Sequence, residues 1–135
     1  MCARCGLAKG KILVMDDEDL VRNVAGKMLE FLGYQVVLTK DGREAVTMYQ
    51  RNMDIGTPFD AVILDLVVPG GMGGGETMAE LLRIDPGAKG IISSGYGDNA
   101  PQGAKSEGHV AVIGKPYELK KLGETLDRVL SASHA

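Results

Sequence analysis

Five short apolar runs alternate with amphipathic stretches along this chain, and the alternation predicts an α/β protein built on a doubly wound (βα)5 sheet. Two further observations point the same way. The runs are continuously apolar, as in parallel strands that helices cover on both faces. The 135 residues suit one domain, with no repeat and no linker long enough to divide it.

The first run, KILVM at 11–15, is a strand that ends in acid. Residues 19–32 then place Val21, Ala25, Met28 and Leu32, with Leu20, Val24 and Phe31, at helical spacing, and Gly33 stops that helix. Residues 34–38 read as a second strand. Asp41 and Glu44 have the spacing of a capping box and open a second helix that runs to about Asn52. A third strand at 61–64 precedes a short helix at 76–84, with Met78, Leu81 and Leu82 facing inward and Asp85-Pro86 as its stop. The fourth and fifth strands fall at 89–93 and 110–113. Between them, 95–108 has room for a helix, but Gly95, Gly97, Pro101, Gly103 and Gly108 make it a weak one. Leu119, Leu122, Leu126 and Val129 mark the last helix.

Composition narrows the class. With 44% hydrophobic and 24% charged residues, low-complexity and collagen-like chains are excluded. No apolar run approaches the roughly 20 residues that span a bilayer, and the first ten residues lack the apolar core of a secretory signal. A cytoplasmic domain without membrane contact is therefore expected. The net charge of −3 disfavours a broad nucleic-acid footprint, and 4% aromatics without tryptophan disfavour a base-stacking platform. Cys2 and Cys5 form a CxxC that suits half a zinc site or a redox pair. No second pair exists, and His109 and His134 are the only histidines, so a frayed tail is the expectation. The domain is expected over 10–131, with a disordered tail at 1–9 and a short one at 132–135.

In such sheets ligands bind at the carboxyl ends of the strands. Asp16-Asp17-Glu18 follows the first strand, Asp65 the third, Ser93 and Ser94 come after the fourth, and Lys115-Pro116 follows the fifth. The second leads only to Thr39 and Lys40. Three carboxylates, hydroxyls and an ammonium thus converge on one edge. Asp16, Asp17 and Asp65 would repel one another unless a cation joined them, and hard oxygen ligands suit Mg²⁺. A carboxylate is also a nucleophile toward phosphorus, giving an aspartyl-phosphate. Lys115 would neutralise charge on the transferring group, and Ser94 would donate a hydrogen bond to it. Each part alone is ordinary, since acidic pairs and Ser-Gly dipeptides are common in loops. The combination, in order at four strand ends, is not.

ILVMDDED, LDLVVPGG, IISSGYG and VIGKPY resemble the receiver domain of two-component response regulators over about residues 10–131. The resemblance implies a flavodoxin-like three-layer sandwich with strand order 2-1-3-4-5. It implies Asp65 as phosphoacceptor, with Asp16, Asp17, Asp65 and the backbone carbonyl of Val67 at a Mg²⁺ ion. It further implies Ser94 as the switch hydroxyl, Lys115 as the family's lysine, and Pro69, Tyr96 and the cis-prone Lys115-Pro116 bond as supporting features. The implied donor is a phosphohistidine on a histidine kinase or histidine phosphotransfer domain, and the domain signals without being an enzyme. Departures are visible. The loop after Pro69, GGMGGG, is one residue longer than usual and lacks the acid after Met72. The position of the family's switch aromatic, three before the lysine, is Val112. The 95–108 segment, with its glycines, Pro101 and few apolar anchors, is then the expected bistable element.

The longer loop, SSGY and KPY resemble receivers at the C-terminus of hybrid sensor histidine kinases. A stand-alone response regulator and a pseudo-receiver with a vestigial site are the alternatives, the second disfavoured by the intact set of five. An aspartyl phosphatase needs an acid two residues after its nucleophile, where this chain has Val67. No GxGxxG follows the first strand, so dinucleotide binding is excluded.

Overall fold

The computed structural model describes residues 9–95 and 111–131. It contains β1 (Lys11–Met15), α1 (Asp19–Phe31), β2 (Gln35–Thr39), α2 (Gly42–Asp54), β3 (Ala61–Asp65), α3 (Gly74–Ile84), β4 (Gly90–Ser94), β5 (Ala111–Gly114) and α4 (Leu119–Ser131). All strand pairs are parallel, in the order β2-β1-β3-β4-β5. The expected weak helix at 95–108 lies outside the described residues beyond Gly95, as do Tyr96, Cys2, Cys5 and the 132–135 tail. Lys9, at the end of the expected tail, donates its N–H to Gly33 O at 2.8 Å.

Side chains that alternate along the strands feed two cores, one on each face of the sheet. Ile12, Val14, Ile63, Ile91 and Ile113 pack with Ala25 and Leu29 of α1 and Leu122, Leu126 and Val129 of α4. Leu13, Met15, Val62, Leu64 and Ile92 pack with Ala45 and Tyr49 of α2 and Met78 and Leu81 of α3. The result is the three-layer sandwich. Among the described residues, no helix is long and apolar enough to cross a membrane.

Several boundaries moved for physical reasons. Tyr34, expected to open the second strand, instead closes the end of α1. Gly33 takes a φ of 100°, its N–H donates to Glu30 O, and the Tyr34 N–H donates to Leu29 O, a Schellman arrangement. On α1 the buried face is Ala25, Gly26 and Leu29, while Leu20 (77% exposed), Val24 and Phe31 (78%) stand in solvent. Leu29 was missed because the apolar arc is broader than the face that the sheet covers.

The cap of α2 is formed as expected on one side, with Asp41 accepting from Glu44 N at 2.8 Å. The Glu44 carboxylate, however, accepts from Lys40 N at 2.9 Å, one residue upstream of the reciprocal partner. The helix α3 starts at Gly74, two residues before the expected 76; β3 and β5 end one residue later than read, and β4 is shifted by one, to 90–94 from 89–93.

Candidate functional site

The parallel sheet carries the residues after β1, β3, β4 and β5 to one edge, and there the predicted groups meet. Asp16 is wholly buried and Asp65 is 5% exposed, whereas Asp17 is exposed at the rim. Carboxylate oxygens of the three lie within 4.8 Å of one another. Lys115 Nζ sits between two of them, 3.0 Å from Asp16 Oδ2 and 3.0 Å from Asp65 Oδ1. Asp16 Oδ1 accepts the Glu18 N–H at 2.9 Å, which fixes the turn out of β1. Its other oxygen, Oδ2, is buried and accepts no aligned hydrogen bond among the described residues, with the Lys115 ammonium 3.0 Å away as its counter-charge.

The electrostatics follow from this crowding. Burial raises the Asp65 pKa; the Lys115 hydrogen bond opposes it, and the Asp16 charge and Asp17 add to it, leaving the carboxyl at about 6. Burial works against the Lys115 charge, yet Asp16 and Asp65 outweigh it and hold the ammonium above its ordinary range. One lysine therefore balances two buried acids, with a third at the mouth. Such a cluster of hard oxygens, with a buried carboxylate oxygen lacking an aligned donor, fits a divalent cation such as Mg²⁺, which Asp16, Asp17 and Asp65 could hold.

The remaining predicted residues surround this centre. Ser94 is buried at the end of β4, and its carbonyl accepts the Lys115 N–H at 2.9 Å. Val67 stands at the rim, 61% exposed. Pro69 and Pro116 are exposed, and the Lys115–Pro116 peptide is cis. Val112 is half-buried against the α2/α3 core.

Three features escaped the sequence reading. Gly73 and Gly74 bring the start of α3 against the end of β3, where a Cβ would lie 2.6 Å from Leu66 O at Gly73 and 2.9 Å from Asp65 O at Gly74. The glycines of that loop are thus a steric requirement of the acceptor strand. Arg22 reaches back from α1 to donate to Asp16 O at 2.8 Å and also pairs with Asp19. The Tyr117 hydroxyl donates to Ser93 Oγ at 2.7 Å inside the α1/α4 core.

The doubly wound parallel sheet with an acidic pocket at its strand ends defines an α/β class, and comparison with known proteins makes the family definite. The response regulator receiver domain family matches residues 12–127, and the chain belongs to it: it is a receiver domain of two-component signalling. It is 35% identical over 112 residues to a response regulator receiver protein of Anaeromyxobacter sp. (strain Fw109-5), covering 82% of this chain and 44% of that protein. It is 31% identical over 120 residues to the sensor kinase CckA of Brucella abortus (strain 2308), covering 88% of this chain and 12% of that one. The chain thus spans less than half the length of either relative. Among solved structures, the receiver domain of the sensor histidine kinase PA1611 from Pseudomonas aeruginosa PAO1 superposes with a TM-score of 0.78 at 26% identity, covering 92% of this chain and 99% of that one. That structure has a magnesium ion coordinated in its active-site cleft.

Proposed function

We propose that residues 10–131 form a phosphorelay receiver that takes a phosphoryl group from a phosphohistidine onto Asp65. The observation that carries this reading is Lys115 Nζ at 3.0 Å from both Asp16 and Asp65, at the mouth of a pocket where three carboxylates converge. An ionised Asp65 oxygen attacks phosphorus, the P–N bond breaks, and the departing imidazole nitrogen takes up a proton. Lys115 already stands where charge develops on the transferring group, and Ser94, buried at the end of β4 beside the acceptor strand, would donate a hydrogen bond to the new phosphate. Asp16, Asp17, Asp65 and the Val67 carbonyl would hold Mg²⁺, which supplies charge neutralisation when bound.

The partner is a histidine kinase or a histidine phosphotransfer domain in the cytoplasm. The domain belongs to a hybrid sensor histidine kinase, a reading supported by its likeness to CckA and by the SSGY and KPY segments. A stand-alone single-domain response regulator is favoured instead by the likeness to the chemotaxis protein CheY of Thermotoga maritima, 31% identical and matched over 96% of its length. Intact mass spectrometry after acetyl phosphate and Mg²⁺ tests the acceptor: one phosphoryl mass is expected, absent in Asp65→Asn and in EDTA. Labelling that persists in Asp65→Asn overturns it. An immunoblot of source cells separates the two origins, since a hybrid kinase runs far above the mass of this chain.

A further inference from the structure

We infer that Tyr117 and Ser93 are a positioning pair that holds the Lys115 turn in register with the two carboxylates, a role that rests on the acceptor reading above. Lys115 lies on the short connection 115–118 between β5 and α4. One end of that connection is tied by the Lys115 N–H to Ser94 O at 2.9 Å. Pro116, next along, is exposed and has no N–H to give. The next anchor is the side chain of Tyr117, whose ring is buried among Leu122, Leu126 and the strand residues. Its hydroxyl ends on Ser93 Oγ, 2.7 Å away, with Ser93 fully buried.

Ser93 is the residue through which both halves of the site are braced. It stands opposite Asp65 in the β3–β4 register, and its carbonyl accepts the Leu66 N–H at 2.9 Å. Its side chain, on the α1/α4 face, holds the turn that carries Lys115. The same residue therefore links the acceptor to its counter-charge. Packing does not demand the hydroxyl, because phenylalanine would fill the same volume. What the hydroxyl adds is a directional tie across β4 and the turn, and its loss would leave a buried Ser93 Oγ without this donor. Val112 faces the opposite core, so it cannot substitute for the tie.

The test uses two readouts on the full chain. Acylation of Lys115 by an amine-reactive ester, followed by peptide mass spectrometry, reports how firmly the ammonium is held. In Tyr117→Phe and Ser93→Ala it is expected to rise several-fold, with the double variant no faster than either. Phosphorylation by acetyl phosphate at saturating Mg²⁺ is expected to slow about tenfold, the scale of one misplaced hydrogen-bonded contact. The Mg²⁺ concentration for half-maximal rate should stay within twofold, because the metal ligands are untouched. Val129→Ala, a core truncation far along α4, lowers the melting temperature and should leave both readouts unchanged. Unchanged Lys115 acylation in Tyr117→Phe overturns the pair, as does an equal rise in Val129→Ala. A parent chain that never labels at Asp65 overturns the acceptor reading instead, and Lys115 acylation still judges the positioning pair.

Discussion

Replacing Asp65 by asparagine should change how stability depends on pH, and the structure gives the size of the change. Burial, with Asp16 and Asp17 reinforcing it and Lys115 opposing it, lifts this carboxyl from 3.8 to about 6 in the folded chain. A group whose pKa rises on folding binds more protons in the native state, so it stabilises most below its unfolded value. That contribution is lost as pH rises through the folded value. The full difference is about 3 kcal/mol, of which about 2 kcal/mol falls between pH 4.5 and 7.5. Other carboxylates also titrate there, so the useful quantity is the difference between parent and Asp65→Asn. Urea unfolding of both chains at 25 °C in EDTA, at steps across that window, measures it. The parent should lose about 2 kcal/mol relative to the asparagine variant on going from pH 4.5 to 7.5. A difference that stays flat with pH would show that Asp65 ionises like an exposed carboxylate, and the reading of a crowded, under-neutralised pocket would fail.

Added Mg²⁺ should raise the melting temperature at pH 7.5 but little at pH 5, where a proton competes for Asp65, and Asp17→Ala should weaken that Mg²⁺ response in differential scanning fluorimetry. Gly74→Ala should cost about 1–3 kcal/mol in urea unfolding, because the new Cβ meets Asp65 O and Ile92 Cδ1 at 2.9 Å. The same variant should slow labelling of Asp65; wild-type stability and rate together would remove the steric role given to that loop. On α1, Leu29→Ala should cost about 2–5 kcal/mol while Phe31→Ala stays within about 0.5 kcal/mol, and the reverse order would mean the helix face is misassigned.

The acidic pocket was legible because it needs only local information. Asp16, Asp65 and Lys115 each end or directly follow an apolar run, and a parallel sheet sends every such position to one edge whatever the details of packing. The helix faces needed more. On α1 the apolar residues spread from Leu20 and Phe31 round to Leu29, and only the sheet beneath decides which part of that arc is covered. The start of α3 was misplaced for a related reason. Consecutive glycines read as poor helix formers, yet at 73 and 74 the missing Cβ is what lets the helix begin against Leu66 O and Asp65 O.

The Tyr117–Ser93 bond was the least legible feature, since its partners are 24 residues apart and each is unremarkable alone. By position alone, Ser93 counts with Ser94 as one more hydroxyl at the ligand edge. Along a strand, however, neighbouring side chains point to opposite faces, so two adjacent serines cannot serve one purpose. Ser93 follows Ile91 onto the α1/α4 face, where Tyr117 returns after β5 to meet it. Ser94 is left to the edge, its carbonyl on the Lys115 N–H. The SS pair thus divides by alternation: the Ser93 hydroxyl braces the lysine's turn from the α1/α4 face, while Ser94 closes β4 at the edge where Asp65 lies.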